Sequence, residues 1–270
     1  MKKIFRQIRL YRCQPERRLE LLYVEDGIPA GFPSPAADYI SPAIDLNEEL
    51  IEHPTATFIG RASGEICFDG LREGDVILVD TSLKIKDKDL VLCIIDGEIM
   101  IKKISKTKGV ITLEESGCSN DVMIIGVVTY TIHACRMSVE NDDYDASQLE
   151  EITRSNILNN EYPQADLNRL FIKHPASTFF SRVAGDSLKD AGVCIDDVVI
   201  VDKSLFLTHR DIAVCYTENS FTLKFVQIDT GGIWLMPANP FFSPIKVENE
   251  DDFRIWGVVT FIIKKRRKKK

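Results

Sequence analysis

Two residue types far apart in the chain could together perform covalent chemistry. Ser187 lies in the glycine turn VAGDSLKD, residues 183–190, and Lys224 lies thirty-seven residues later in the apolar run FTLKFV. A lysine in an apolar site is pushed toward its neutral amine, and a neutral amine can take the proton of a serine hydroxyl. The chemistry on offer is that of a Ser-Lys dyad. On the residues alone, a strand lysine that carries its charge out to solvent stays open as the alternative. His209, in THRD, has no sequence cue tying it to Ser187, so no Ser-His-Asp set competes. The four histidines are too widely spaced to suggest a zinc site, and no cofactor is implied. His53 and His174 each precede a proline and read as structural.

The elements that must position this pair come in duplicate. Asp45 to Phe58 reads DLNEELIEHPTATF and Asp166 to Phe179 reads DLNRLFIKHPASTF, identical at eight of fourteen positions with an offset of 121. The offset is 122 from Asp80 and Asp202 through Lys102 and Lys224, then 131 at the GVVT runs that begin at Gly126 and Gly257. The first copy is therefore shorter by nine residues just before its last strand, where the second reads MPANPFFSPI. Each copy is long enough to bury its own core, so two domains of about a hundred residues are expected rather than a solenoid.

Short runs rich in β-branched residues, such as DVILVD at 75–80, DVVIVD at 197–202 and DIAVCY at 211–216, predict strands. Turns at Asp96-Gly97 and Gly231-Gly232 sit at hairpin spacing. Only Leu46 to Glu52 and Leu167 to Lys173 hint at helix. The fold class is mainly β, in two tandem domains of short, strongly bent strands. Expected boundaries are an N-terminal arm at 1–30, a first domain at 31–136, a polar linker at 137–165, a second domain at 166–263 and a polybasic tail at 264–270.

Composition narrows the function classes. The chain of 270 residues is 44% hydrophobic and 28% charged, within the globular range. Its net charge of −7 includes seven consecutive cations, Lys264 to Lys270, without which it would stand at −14. Such an acidic body does not suit a protein that grips duplex DNA, and direct DNA contact is expected at most through the tail. No run approaches a membrane-spanning length, and residues 1–12 lack a signal-peptide core, so a cytoplasmic location is expected. Seven cysteines without a CxxC pair read as reduced thiols, with Cys93 and Cys215 buried in strands.

Taken in order, these motifs resemble the LexA-type self-cleaving serine peptidases, and within them the UmuD-like proteins of SOS mutagenesis. GFPSPAADY at 31–39 looks like the segment just after the family's cleavage point, followed by DLN, HP, ASG, DGxxxGDxxxVD and IKK. The second copy carries AGDS, IVD, TLK, LMPANPFFSPI and WGVV. The resemblance covers about residues 20 to 135 and 166 to 263, most of the chain. It implies that Ser187 is the nucleophile and Lys224 the general base, with backbone amides of Gly185, Asp186 and Ser187 holding the oxyanion. It also implies that Ala30-Gly31 is the bond cut.

The copies are chemically unequal. At the position of Ser187 the first copy has Ile66, although Lys102 matches the lysine, and Cys67 falls one residue late in register. The second copy has no Ala-Gly or Cys-Gly bond before its DLN. One half holds the bond and the other the dyad, so the chain reads as an intramolecular pseudo-dimer whose first domain presents the arm to the second. The resemblance further implies a RecA filament on single-stranded DNA as co-protease and the catalytic subunit of a translesion DNA polymerase as partner. The alternative is a non-cleaving scaffold that keeps the binding role; a LexA-type regulator is disfavoured because thirty residues before Gly31 are too few for a DNA-reading domain.

Overall fold

Duplicated sequence folds into duplicated topology. The computed structural model describes residues 9–13, 21–28, 40–62, 70–107, 110–113, 122–136, 164–217, 220–248 and 253–267. The expected linker at 137–165 lies outside them except for its last two residues, Gln164 and Ala165. In chain order the N-terminal strands are β1 (Arg9–Cys13), β2 (Leu21–Ile28) and β3 (Ile40–Ile44). The first copy then has α1 (Leu46–Leu50), β4 (Thr57–Arg61), β5 (Val76–Asp80), β6 (Leu90–Ile95), β7 (Glu98–Thr107), β8 (Val110–Leu113) and β9 (Val122–Ala134). After the two-residue β10 (Gln164–Ala165), the second copy has α2 (Leu167–Phe171), β11 (Thr178–Val183), β12 (Val198–Asp202), β13 (Ile212–Thr217), β14 (Ser220–Asp229), β15 (Gly232–Met236), β16 (Ile245–Lys246) and β17 (Arg254–Lys265).

Strand pairing repeats at the duplication offset. In the second copy β11 pairs with β12, β12 and β13 both pair with β17, β13 pairs with β14, β14 with β15 and β15 with β16. The first copy shows the same ladder through β4, β5, β9, β6, β7 and β8. The last strand of each copy serves two partners by bending: register shifts fall between Leu78 and Val79, and between Ile200 and Val201. A second shift in each copy, between Leu92 and Cys93 and between Val214 and Cys215, falls at Gly126 and Gly257. A Cβ on Gly257 would come within 2.7 Å of Val201 Cγ1, and one on Gly126 within 2.8 Å of the Asp80 carbonyl, which is why GVVT begins with glycine in both copies. The hairpin turn between β6 and β7 has positive φ at Asp96 (50°) and Gly97 (87°), as a two-residue turn matched to strand twist requires.

The repeated HP motif also has a structural use. His53 Nδ1 lies 2.7 Å from Asp80 and His174 Nδ1 lies 2.7 Å from Asp202, pinning the loop before β4 and β11 to the end of β5 and β12. Cys93 and Cys215 are buried free thiols, their pKa pushed up by burial to about 11 and about 12.

The copies meet about an approximate two-fold axis. Antiparallel pairing of β9 with β17 places Phe261 opposite Ala134 and Ile263 opposite Ile132. Over this join lie α1 and α2, and one cluster drawn from both copies, including Leu46, Leu50, Ile59, Leu167, Phe171, Phe180 and Phe261, fills the space between them. Phe171 and Phe261 meet edge to face at 4.9 Å. The DLN motif carries the polar half of the junction. Asp45 and Asp166 cap their own helices by accepting from backbone amides. Asn168 Oδ1 accepts from Leu46 N at 3.0 Å and its Nδ2 donates to Asp45 at 3.0 Å; reciprocally, Asn47 Oδ1 accepts from Leu167 N at 3.0 Å and its Nδ2 donates to Asp166 at 2.9 Å.

A second reciprocal pair closes the rim. Arg136 donates to the carbonyl of Phe206 and faces Asp211 at 3.4 Å, while Arg267 donates to the carbonyl of Lys84 and faces Asp89 at 3.4 Å. Four residues of the expected tail are thereby part of the fold. Lys264 and Lys265 complete β17, with Lys264 paired to Asp197 at 2.6 Å, and Arg266 Nε donates to Thr131 at 2.8 Å. Carboxylates and carbonyls at the rim supply partners that offset the cost of ordering these cations. Residues 268–270 lie outside the described chain.

The N-terminal segment, expected as an arm at 1–30 outside both domains, contributes strands β1 and β2. The chain backbone offers the reason: sheet edges carry unpaired N–H and C=O groups that a neighbouring extended segment satisfies.

Candidate active site

Ser187 is placed by the turn that leaves β11. Val183 closes that strand by donating to the Asp197 carbonyl at 2.8 Å, and Leu188, immediately after the serine, is a fully packed core residue with Val193, Val199 and Phe221. A buried residue beside the serine fixes the turn while Ser187 itself stays half-exposed. Its hydroxyl donates to the carbonyl of Leu223 at 3.1 Å, the residue before Lys224 on β14. The Ser187 hydroxyl thus meets the backbone of the residue next to Lys224, from a position thirty-seven residues before that lysine.

Lys224 is buried, at 5% exposure, and lies opposite Ala213 of β13. Burial lowers its pKa below the usual 10.5, with the neighbouring Cys215 acting weakly the other way. Phe242 covers the amine from above, its ring centroid 5.4 Å from Nζ. The snorkelling alternative fails for this lysine. At the matching place in the first copy, Lys102 pairs opposite Val91 in the same register but remains half-exposed.

Sequence reasoning did not single out the residues that hold the serine turn. Ala238 N donates to the Ser187 carbonyl at 2.8 Å, Asp190 N donates to the Ala238 carbonyl at 2.8 Å, and Asn239 Nδ2 donates to the Asp186 carbonyl at 2.9 Å. All come from the MPANPFFSPI segment, so the nine residues missing from the first copy correspond to the brace of the serine turn and the aromatic cover of the lysine. The signal was visible in the offset change from 122 to 131, but its meaning depends on where that segment folds. His209 lies elsewhere, its Nδ1 3.2 Å from the Ile228 backbone.

Among the described residues no acceptor takes the amide N–H of Gly185, Asp186 or Ser187, and a Cβ built on Gly185 meets nothing within 4 Å, leaving space beside those donors. Ala30, Gly31, Ile66 and Cys67 lie outside the described residues. The strand leading to Ala30 does not: β2 runs parallel to β11, with Leu22 opposite Phe179, Val24 opposite Ser181 and Ile28 opposite Val183. It also approaches β14, the strand that carries Lys224.

The fold is mainly β, and the half-exposed Ser187 bonds to the carbonyl of the residue that precedes the buried Lys224. Both copies match the Peptidase S24-like family, at residues 22–128 and 141–260. The chain belongs to this family of UmuD- and LexA-like peptidases, in a tandem duplicated form. It is 39% identical to Protein SamA of Salmonella typhimurium over 114 residues, covering 40% of this chain and 81% of SamA. Protein ImpA of Escherichia coli is 38% identical over 123 residues, 41% of this chain and 82% of ImpA. The LexA repressor of Xylella fastidiosa is 33% identical over 101 residues, 37% of this chain and 47% of that protein. Each match has the length of one copy. Among the described residues no helix is long and apolar enough to cross a membrane.

Proposed function

We propose that this chain cuts its own Ala30-Gly31 bond, with Ser187 as nucleophile and Lys224 as general base. The observation that carries the reading is the parallel pairing of β2 with β11. Ile28, two residues before Ala30, stands opposite Val183, four residues before Ser187, and both strands leave the sheet in the same direction. Two residues reach at most about 7 Å and four at most about 14 Å, so bond and serine depart from one end of one ladder within a short span.

The neutral Lys224 amine takes the Ser187 proton as Oγ attacks the Ala30 carbonyl carbon, and amides of Gly185 to Ser187 stabilise the oxyanion. Lysine then gives the proton to the Gly31 nitrogen as the C–N bond breaks, leaving an ester between Ser187 and Ala30. Water, deprotonated by the same amine, hydrolyses the ester and restores the serine, so one water is consumed and a carboxylate and an amine are left. The first copy, with Ile66 for a nucleophile and no brace segment, presents the arm and takes no chemical part. By resemblance to UmuD-like proteins, the trimmed 31–270 form is an accessory subunit of an error-prone translesion polymerase in the SOS response, with a RecA filament on single-stranded DNA as co-protease.

Mass spectrometry of the purified chain under denaturing conditions, after incubation at alkaline pH, tests the chemistry: the bond after Ala30 should be cut in the unaltered chain and intact in Ser187→Ala. Scission of Ser187→Ala at the same rate, with no activator present, would refute it. A polymerase pull-down with the 1–270 and 31–270 forms tests the accessory role, and binding by neither overturns it.

A further inference from the structure

Both arm strands are interior strands of the sheet. β1 pairs antiparallel with β4, Arg9 opposite Arg61 through Arg12 opposite Phe58, and on its other side pairs parallel with β10, Arg12 opposite Gln164. β2 pairs parallel with β11 and, on its other side, antiparallel with β3, Leu21 opposite Ile44 and Val24 opposite Ile40. The flanking strands are equivalent by duplication: β4 corresponds to β11, and β3 and β10 each lead into a DLN motif. Each arm strand therefore fills one of two pseudo-equivalent slots, and each slot has one wall from the first copy and one from the second. A symmetric dimer would fill two such slots with two arms in the same sense. Here one arm fills both, in opposite senses relative to β4 and β11.

Strands in a sheet are spaced by about 4.8 Å, so withdrawing either arm strand would open a gap of about 10 Å with unpaired N–H and C=O groups on both walls. Neither pairing of β1 depends on the Ala30-Gly31 bond. Hydrolysis of that bond cuts the connection between β2 and β3 and leaves every ladder in place.

We infer that scission does not free the arm: residues 1–30 stay inserted as a two-strand ligand that sutures the copies, and the two slots are strand-accepting sites whose resident occupant is the arm itself. This rests on the proposed cleavage point but not on who cuts it. Binding through two strands on one short peptide makes release slow, because either strand holds the other at high local concentration.

The test separates the two readings by using the full-length Ser187→Ala chain with a site for an added site-specific protease introduced after Pro29. After complete nicking, native size-exclusion followed by mass spectrometry should find the 1–30 peptide eluting with the remainder of the chain. Hydrogen exchange should show residues 57–61 and 178–183 protected as in the intact chain. The double substitution Leu10→Pro and Tyr11→Pro removes amide donors from β1 and should speed loss of the nicked peptide by about tenfold or more. Elution of the peptide apart from the nicked chain overturns the inference, as does loss of exchange protection at both edges on nicking. The exchange measurement needs no proline variant and decides the matter even where that variant does not fold. Self-cleavage is read separately, in the chain that keeps Ser187.

Discussion

Replacing Asn168 by alanine removes both polar contacts that this side chain makes across the junction of the copies. Leu46 N loses its acceptor at 3.0 Å, and Asp45 loses a donor at 3.0 Å, in a region where Leu46, Asn47 and Asn168 are all buried. An orphaned buried amide costs about 1–3 kcal/mol, and a lost hydrogen bond to a carboxylate about 1.5–3 kcal/mol. Asp45 keeps its cap on the amides of Asn47 and Glu48, which trims the second figure, so roughly 3 kcal/mol is expected in all. For a chain of this size that corresponds to a fall of about 6–12 °C in Tm. Calorimetry and urea unfolding at several protein concentrations provide the assay. Because both partners lie on one chain, the midpoint should not move with concentration, unlike that of a dimer. Asn47→Ala should cost a similar amount, and the double variant should depart from additivity by at least about 0.5 kcal/mol because the four bonds form one network. Losses below about 0.5 kcal/mol for either single variant, or a concentration-dependent midpoint, would show that the DLN motifs do not join the copies as described.

With Lys224 as the proposed base, its lowered pKa predicts the pH dependence of cleavage. Rate should climb about tenfold per pH unit while the amine is mostly protonated and level off with an inflection below 10.5; a profile flat across the alkaline range would contradict a lysine base. Asn239→Ala, which frees the Asp186 carbonyl, should slow cleavage by about tenfold to a hundredfold while leaving most of the thermal stability, and an unchanged rate would remove the brace from the argument. Bonding to Asp80 raises the pKa of His53 above 6.5, so its stabilising effect is fully present below pH 6.5 and is lost as pH rises through the raised value; His53→Gln should abolish that part of the pH dependence of unfolding, and no change would refute the linkage.

Much of this architecture is legible in one dimension. The spacing of DLN, HP and GVVT gives two copies with one strand order, and DVILVD, DVVIVD and LVLCII mark strands because a buried strand needs a continuous run of β-branched residues. Ser187 and Lys224 are legible as candidates through their motifs, and Ile66 shows that the first copy lacks a counterpart serine. Ala238 and Asn239 were not, because what they do is accept and donate across a gap of some fifty residues, and nothing in PANP states which carbonyl it will face. The basic C-terminus has a related limit. The run reads as a tail from Lys264, yet Lys264 and Arg267 find Asp197 and Asp89 only once β17 has been laid against its neighbours.

The sequence by itself determined that this is a duplicated β protein with a serine at the proposed nucleophile position in one copy only, since strand periodicity and residue identity are local properties. Tertiary structure decided how the halves serve each other. Reciprocal Asn47 and Asn168, reciprocal Arg136 and Arg267, and the passage of one arm through two equivalent slots are pairings between segments more than a hundred residues apart or on opposite copies. Hydrogen bonds between backbone edges carry no side-chain code. Which edge receives which strand is settled only when both edges exist, and that places the strand leading to Ala30 beside the turn of Ser187.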